Sequence, residues 1–389
     1  MLRYVSYLLL AVVAMATTAG ADSPGDYPYR TLIKSPKPGA LFGIPSVCRL
    51  KNGEILVVYH HLCSHVCYGI HDQEWFDCYK ARYSALSKKC PLPHKGRLEG
   101  IRSADDGKTW SAPFIVVDGP HSESDPQIST APDGTVHLVY LTRYWTRCGE
   151  FWTQPHPQSP YPRYPRYFAI AMTRSTDHGR TWTKPHVLPS IYEHRDSAHD
   201  PIRFAPDGTY LLAIQGNPFL GPESGMILAS HDQGDSWTVR GTIDHPTESI
   251  SEHAISLLGE EKIICAMRPG PFISYSNNAG RSWTVPKLLP GGPEKAPFFL
   301  LTSNNELLLF EYTRRGDYGF TVRISLDDGQ TLTDPLPIDP TAGNPHGHAI
   351  ELNDGTILAV YYSEYDLQGD IRAARFRVTD KSIERLAIE

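Results

Sequence analysis

Residues 103–110 read SADDGKTW, and this eight-residue pattern recurs four more times along the chain. The further copies are STDHGRTW at 175–182, SHDQGDSW at 230–237, SNNAGRSW at 276–283 and SLDDGQTL at 325–332. In each copy the Ser and the Asp or Asn can bond nearby backbone groups, the Gly supplies a positive φ, and the last side chain packs as an apolar plug. A turn that recurs in this way predicts a repeat architecture in which the motif residues are structural.

A second repeat interlocks with the first, because an apolar run, a tight turn and another apolar run recur six times. The six turns lie at 51–53, 132–134, 206–208, 259–261, 304–305 and 353–355. Six such hairpins predict an all-β, six-bladed β-propeller that occupies residues 22–389 as one domain. The sixth unit lacks the turn motif and ends near Val378, so we expect a strand near Tyr29 to Ser35 to complete it and close the ring. Insertions at 61–96 and 147–166 interrupt the repeats, and their length predicts functional lids or rims.

The first residues have the pattern of a secretory signal. Arg3 precedes an apolar run at 7–15, and Ala19-Gly20-Ala21 offers a cleavage site. We expect cleavage near Ala21 and a secreted or periplasmic monomer without a membrane span, because the run is shorter than the about 20 residues that cross a bilayer. Lys and Arg number 37 against 43 acidic residues, a net charge of −6, which offers no basic field to a nucleic acid.

Export permits disulfides, and the chain has seven cysteines. Five of them fall in the two insertions, namely Cys63, Cys67, Cys78, Cys90 and Cys148. We expect these five to form two disulfides and to leave one free thiol. Cys48 and Cys265 lie in alternating apolar strands and are predicted to be small core residues. Zinc is the alternative for the His- and Cys-rich stretch from His60 to His71, but its spacing fits no standard site. We therefore expect no metal and no cofactor.

The five turn motifs on a six-hairpin pattern resemble the Asp-box, or BNR, repeats of the sialidase (neuraminidase) superfamily over essentially the whole mature chain. The resemblance implies a site on the central axis, where the innermost strand of each blade begins. It also implies three arginines that bind a sugar carboxylate, a Tyr nucleophile assisted by a Glu, and an Asp acid/base. In residues 251–270 Glu252 takes the place of that Glu, and Arg268 takes the place of the second arginine.

Other positions depart from the family pattern. Gly43 occupies the position before Ile-Pro at which the family has its first arginine. Tyr362 occupies the position of the acidic residue that pairs with that arginine in the family. His346 takes the place of the nucleophilic Tyr, and Arg315 lies near the place of the third arginine but out of register. The stretch before the first turn motif offers His94 rather than an Asp. These departures predict chemistry that differs from that of an ordinary sialidase.

The starts of the six inner strands are rich in ionisable residues, which predicts a ligand funnel on the axis. The predicted catalytic residues are His346, Glu252, Asp125, Asp200 and His199. The predicted substrate-binding residues are Arg268, Arg315, His348, His253, Tyr362 and Tyr59. Two structural alternatives stay open: each of the two Asp residues precedes a Pro and could serve a strand-entry turn, and Arg268 could form an ion pair with Glu252 alone.

The leading functional interpretation is a sialidase-like glycoside hydrolase that cleaves a linkage at or next to an acidic sugar. Arg268 would bind the anionic group in bidentate fashion, and Glu252 with Asp125 or Asp200 would supply the pair of carboxylates. The expected partner is an acidic oligo- or polysaccharide, on which the aromatic residues of 161–168 could stack.

Two alternatives remain. One is a lyase acting on uronic-acid polysaccharides, similar to the ulvan-degrading propeller lyases, in which His346 or His199 removes a proton and Tyr59 or Tyr362 protonates the leaving oxygen. The other is a glycan-binding propeller without catalysis, because a fold does not by itself imply an activity.

Overall fold

The computed structural model describes residues 26–35, 41–62, 96–119, 122–143, 168–188, 195–217, 222–289, 295–312, 319–365 and 368–388. Within these ranges the chain forms strands and turns, and nothing helical has the length and apolar character needed to cross a membrane. The predicted signal segment, most of the first insertion and all of the second lie outside the described residues, as do the five insertion cysteines.

The strands are short and follow one another along the chain. They are β1 (Tyr29–Ile33), β2 (Leu41–Arg49), β3 (Ile55–Leu62), β4 (Arg97–Ser103), β5 (Phe114–Val117), β6 (Ser122–Thr130), β7 (Val136–Arg143), β8 (Phe168–Ser175), β9 (His186–Val187), β10 (Arg195–Ser197), β11 (Arg203–Phe204), β12 (Tyr210–Asn217), β13 (Ser224–Ser230), β14 (Thr238–Ile243), β15 (Ser251–Leu257), β16 (Ile263–Arg268), β17 (Phe272–Ser276), β18 (Lys287–Leu288), β19 (Lys295–Leu301), β20 (Leu307–Tyr312), β21 (Phe320–Ser325), β22 (Leu336–Asp339), β23 (His346–Glu351), β24 (Ile357–Tyr365), β25 (Gln368–Thr379) and β26 (Ser382–Leu386).

These strands form a propeller-like set of antiparallel meanders, which confirms the predicted all-β class. Three sheets have four strands each (β6–β9, β15–β18 and β19–β22), and a fourth has five (β10–β14). The remaining strands form one nine-stranded sheet rather than two separate blades. The reason is a parallel bridge between β2 and β25 at Leu41 and Gly369, which joins the β2–β5 meander to the β23–β25 meander.

The N-terminal strand pairs with the end of the chain, as expected. β1 runs antiparallel to the first half of β25, from Tyr29 opposite Ala374 to Ile33 opposite Ile371. Sequence reasoning missed β26, which pairs with the second half of β25, from Thr379 to Arg375. One long strand therefore holds two short neighbours along the same edge.

The turn motif has the structural role predicted for it. Ser103 Oγ accepts the amide N–H of Gly107 at 2.8 Å and donates to Asp105 Oδ1 at 2.8 Å. Asp105 accepts two further bonds, from the amide and the hydroxyl of Thr109, and Trp110 Nε1 donates to the Gly107 carbonyl at 3.0 Å. The Ser-to-Gly bond recurs in the other four copies.

The hydrophobic core lies between adjacent sheets. Val139 and Ile170 of the β6–β9 sheet, for example, pack with Leu212 and Leu228 of the β10–β14 sheet. Cys48 and Cys265 are buried free thiols, which confirms that they are core residues. Burial raises the pKa of Cys48 to about 12, so the thiol stays protonated and unreactive at neutral pH.

Four inner strands share an irregularity that positions the site. The register of β2, β6, β15 and β19 shifts near the strand start, so that two residues oppose one on the neighbouring strand. The first of the two has a positive φ in every case: Ile44 (43°), Asp125 (51°), Glu252 (52°) and Ala296 (28°). A β-bulge of this kind redirects side chains, and non-glycine residues are held in such a conformation only by their surroundings. Asp125 and Glu252 therefore occupy equivalent positions in two sheets.

Hydrogen bonds between sheets fix the relative positions of these strand starts. The amide of Ile128 donates to Ser46 Oγ (3.0 Å), the amide of Ile255 to Asp200 Oδ2 (3.1 Å), and the amide of Ala296 to Glu252 Oε2 (2.9 Å). Because each bond joins a strand amide to a side chain of another meander, polar side chains near the axis also hold the structure together.

Candidate functional site

Glu252 and Arg268 form an ion pair at the start of the β15–β18 sheet. Their neighbours in sequence set this geometry, because Ser251 lies opposite Arg268 across the strand pair and the bulge directs Glu252 beside it. Arg268 Nη1 donates to Glu252 Oε1 at 2.8 Å. The side chains keep 30% and 17% of their surfaces exposed, respectively, so the pair faces solvent on one side.

Two histidines complete a group that we call the mouth cluster: Glu252, Arg268, His199 and His346. The imidazole centres of His199 and His346 lie 6.2 Å apart. Burial would raise the pKa of Glu252, but the charges of His199, Arg268 and His346 outweigh burial and hold that pKa below its usual range. An ionised carboxylate beside one cation and two titratable rings is an arrangement suited to acid–base chemistry on an anion.

The two histidines differ in exposure. His199 is half-buried, and its Nδ1 has no hydrogen-bond partner among the described residues. His346 is 8% exposed and begins β23, where it lies opposite Tyr362. Its ring lies parallel to that of Tyr312, with the planes 2° apart and the centres 5.6 Å apart. His199 is therefore the ring that an incoming ligand can reach more easily.

Two other predicted histidines are withdrawn into the interior. His253 is 1% exposed and packs directly over Gly225 of the neighbouring sheet, where a Cβ would lie 2.2 Å from its Nε2. Burial, reinforced by His199, lowers the pKa of His253 to about 3. His348 Nδ1 lies 2.8 Å from Ser46 Oγ, and burial holds the pKa of His348 well below its usual range. Both rings are therefore buried, and they are neutral at physiological pH.

Asp200 has structural partners for both of its oxygens. It is fully buried, accepts two bonds from Arg203 at 2.7 and 3.1 Å, and also accepts the amide of Ile255. Burial raises the pKa of Asp200, and the Arg203 charge opposes that rise. These contacts favour the strand-entry alternative for Asp200 over a place in a catalytic pair.

Asp125 is also buried, at 3% exposure, although it occupies the bulge position that Glu252 has in its own sheet. Ser124 donates to Asp125 Oδ2 at 2.9 Å, and the Asp125 amide donates to His60 Nδ1 at 3.4 Å. The same backbone bulge thus presents one carboxylate to solvent and turns the other toward protein groups.

The predicted tyrosines are not accessible. Tyr59 is fully buried and donates to Glu99 Oε2 at 3.1 Å, and burial together with that carboxylate raises the pKa of Tyr59. Tyr362 is 1% exposed, and its hydroxyl accepts a bond from Asn344 Nδ2 at 3.2 Å. Arg315 lies outside the described residues, as does His94.

Sequence reasoning missed several polar groups near the strand starts. Tyr312, beside His346, was hidden at the end of the apolar run of β20. Glu99 accepts bonds from His61 at 2.9 Å and from Arg97 Nε at 2.7 Å, beside the first insertion. Glu311 and Arg323 form an ion pair within the β19–β22 sheet that is almost completely shielded from solvent, which we call the sealed pair. The one available signal was a charged residue at a core position of a strand, as in LLLFEY.

A cavity of about 370 Å³ lies among the later residues of the inner strands, with His348 in its wall. Its other lining residues come from β2, β6, β15, β19 and β23 and from residues 201–204, and most are apolar. Arg203, the partner of Asp200, also lines this cavity, but no residue of the mouth cluster does. Among the described residues no three His, Cys, Asp or Glu side chains come together as metal ligands would.

A protein-family model described as a BNR repeat-like domain matches residues 99–310. A sialidase of Bacteroides fragilis (strain YCH46) is 22% identical over 295 residues, which cover 67% of this chain and 53% of that protein. The chain therefore spans about half the length of that relative.

Solved structures share the fold at low identity. A protein of unknown function from Dyadobacter fermentans DSM 18053 matches with a TM-score of 0.72 and 18% identity, covering 90% of this chain and all of that one. The Hadza microbial sialidase Hz136 matches with a TM-score of 0.65 and 18% identity over 92% of this chain and 68% of that one. The NanB sialidase of Streptococcus pneumoniae matches with a TM-score of 0.63 and 14% identity over 91% and 71%.

Proposed function

Since this chain belongs to the BNR repeat-like domain family, we propose that it is a sialidase-like glycoside hydrolase that cleaves a linkage at or next to an acidic sugar. The observation that carries the proposal is the mouth cluster, in which a solvent-facing Arg–Glu pair lies beside two imidazoles. A structural ion pair needs no histidines around it, and a purely apolar sheet interface needs none of the four groups.

Arg268 is the proposed anchor for the sugar carboxylate. It makes one hydrogen bond within the described residues, to Glu252, which leaves other guanidinium N–H groups for a ligand. A guanidinium can bind a carboxylate through two parallel bonds, which fixes orientation as well as affinity.

Glu252 and the two histidines are the proposed acid–base groups. One imidazole removes a proton from a water molecule that attacks the anomeric carbon, and the other donates a proton to the departing glycosidic oxygen as the carbon–oxygen bond breaks. Ionised Glu252 would orient the rings and stabilise the positive charge that develops on the sugar.

The second candidate is β-elimination by a lyase, and one observation favours it. Of the three carboxylates predicted for catalysis, Glu252 alone keeps exposed surface, whereas Asp125 and Asp200 are buried. The two-carboxylate mechanism therefore lacks an accessible partner for Glu252 among them. In the lyase, Arg268 would neutralise a uronate carboxylate while one of the two imidazoles, His199 or His346, removes the C5 proton. The C4–C5 double bond would form as the C4–O bond breaks, and the other imidazole would protonate the leaving oxygen, since Tyr59 and Tyr362 are buried.

The test is incubation with a panel of sialosides and uronate-containing polysaccharides. Release of reducing ends without ultraviolet absorbance from an unsaturated sugar supports the hydrolase, and the appearance of that absorbance supports the lyase. Arg268→Ala should abolish turnover, while Arg377→Ala, which removes an arginine paired with Glu384 at 3.0 Å on the surface, should not. Turnover unchanged in Arg268→Ala contradicts the proposal.

We further propose that the nine-stranded sheet functions as two blades, which makes six blades in a closed ring. The support is that it consists of two meanders joined by a single parallel bridge, and that His348 of β23 contacts Ser46 of β2. An experimental structure in which β2 and β23 lie apart would contradict this ring.

Export, one mature domain and a monomeric state also belong to the proposal. The sequence pattern at residues 1–21 supports export. A mature N-terminus at Asp22 is the expected result of sequencing the protein from culture medium or periplasm, and an intact Met1 there would contradict cleavage.

A further inference from the structure

His346 has an aromatic neighbour that comes from a different sheet. Tyr312 ends β20 of the β19–β22 sheet, whereas His346 begins β23 of the nine-stranded sheet. The two rings are parallel within 2°, with their centres 5.6 Å apart, which is an offset stack. Because the contact crosses from sheet to sheet, it fixes the imidazole relative to more than its own strand.

Tyr312 also fixes the backbone beside His346. Its hydroxyl donates to the carbonyl of Gly347 at 2.8 Å. Its ring is held in turn by Phe320, stacked at 4.9 Å and 10°, and by Phe298 at 6.3 Å and 27°. Tyr312 is fully buried, so it has little freedom to move with the ring it supports.

An imidazole needs such support if it is to transfer protons in one orientation, because the torsion that turns a histidine ring has broad minima. The ring centres of His199 and His348 lie 6.2 and 6.3 Å from that of His346, and both rings are inclined to it, by 56° and 69°. Tyr312 is the one of these neighbours whose ring is parallel to that of His346.

We propose that Tyr312 is a positioning residue that sets the orientation of the His346 imidazole through ring stacking and through its bond to Gly347. Tyr312 is not the nucleophile that His346 replaces, because its hydroxyl is buried and engaged with a carbonyl. The inference rests on the proposed function for its kinetic test alone, and a spectroscopic test does not depend on any substrate.

The spectroscopic test uses protein with labelled histidine, in which His346→Gln identifies the His346 ring signals. Tyr312→Phe should retain the ring-current shift of those signals, because the stack remains. Tyr312→Leu should abolish that shift and broaden the signals, because the ring gains orientations. Tyr361→Leu is the matched control, because Tyr361 is also fully buried, also contacts Phe320 and also has a bonded hydroxyl, but it bonds Asp339 instead.

The kinetic test follows on whichever acidic glycan the protein cleaves. Tyr312→Leu should lower kcat by about tenfold to a hundredfold with KM within about twofold, because misplacement of a proton-transfer group acts on the chemical step. Tyr361→Leu should lower the unfolding temperature without this loss. If Tyr312→Leu does not fold, Tyr312→Met, whose unbranched side chain adapts better to an irregular gap, takes its place in both tests.

Two results would overturn the inference: His346 signals unchanged in folded Tyr312→Leu or Tyr312→Met, or the same kcat loss in Tyr361→Leu. Failure of the proposed function would give a different result. In that case Arg268→Ala would have no effect on turnover, but the His346 signals would still change in Tyr312→Leu.

Discussion

Two arginine–glutamate pairs lie in adjacent sheets, and they differ in exposure. In the β15–β18 sheet, Arg268 and Glu252 are 2.8 Å apart and keep 30% and 17% of their surfaces exposed. In the β19–β22 sheet, Arg323 and Glu311 are also 2.8 Å apart but are only 3% and 1% exposed. The distance is the same, although Arg268 donates through Nη1 and Arg323 through Nε, and the two pairs differ most in their exposure.

The surroundings shift the two carboxyl groups in opposite directions. Burial raises the pKa of Glu311 to about 7, and the single Arg323 charge only partly opposes it. Burial also acts on Glu252, but three neighbouring positive or titratable groups outweigh it, and the pKa of Glu252 is lowered. The sealed pair, Arg323 and Glu311, stabilises the fold only if both partners are present. Arg268 and Glu252, which we call the open pair, face solvent near histidines and can exchange partners with a ligand.

The largest expected effect comes from breaking the sealed pair. Arg323→Ala leaves Glu311 buried without its cation, which should lower the free energy of unfolding by about 3–5 kcal/mol. Arg268→Ala should lower it by less than about 1 kcal/mol, because Glu252 remains partly hydrated. Urea unfolding of the two variants measures the difference, and equal losses would remove the distinction between the pairs.

The next effect is on catalysis, where a change in the open pair should matter more than a change in the sealed pair. Glu252→Gln keeps the shape but removes the charge, so turnover should fall by about a hundredfold or more while the protein stays folded. Glu311→Gln makes the same change in the sealed pair and should leave turnover within about twofold. A matching loss in both variants would mean that Glu252 acts through the fold rather than on the substrate.

A third effect concerns pH, because the pKa shifts of Glu311 and Glu252 make stability change with pH in opposite directions. The folded-state pKa of Glu311, about 7, exceeds that of an unfolded glutamate, so the native state binds more protons between about pH 4.5 and 7. The Glu311 contribution to stability is therefore present below that window and is lost as pH rises through it, by on the order of 1–3 kcal/mol. Unfolding at several pH values should show a slope that Glu311→Gln removes. Persistence of the slope in that variant contradicts the assignment.

The lowered pKa of Glu252 has the opposite sign. Its contribution is present above the pKa of an unfolded glutamate and is lost as pH falls through the lower folded-state pKa. The partial exposure of Glu252 screens this contribution, so it should be smaller than that of Glu311.

The repeats predicted most of the fold, because a turn motif such as that of Ser103 to Trp110 is specified by bonds within eight residues. The bridge between β2 and β25 was not predictable, since it depends on where two distant strands meet. At the site, Glu252 and Arg268 were predicted from the resemblance of residues 251–270 to the sialidase pattern, and the structure places them side by side across β15 and β16.

The rest of the site depended on burial, which the sequence does not reveal. Asp125 and Asp200 are each followed by Pro and looked equivalent to Glu252 as carboxylates, but both are enclosed by protein groups. Tyr312 is the reverse case, because a residue that reads as the end of an apolar strand lies against a proposed catalytic ring from another sheet. Contacts between sheets decided both outcomes.

A third pair extends the comparison to higher exposure and gives the smallest expected effect. Arg377 and Glu384 join β25 to β26 at 3.0 Å, with 47% and 54% of their side-chain surfaces exposed. Water competes for both charges, so a double-mutant cycle with Arg377→Ala and Glu384→Ala should give a coupling of no more than about 0.5 kcal/mol, which salt reduces further. Coupling in the three pairs should then rise from Arg377 through Arg268 to Arg323, in the order of their burial. A coupling of about 2 kcal/mol for Arg377 and Glu384 would show that pair distance rather than burial governs these interactions, and the distinction between the open and sealed pairs would lose its physical basis.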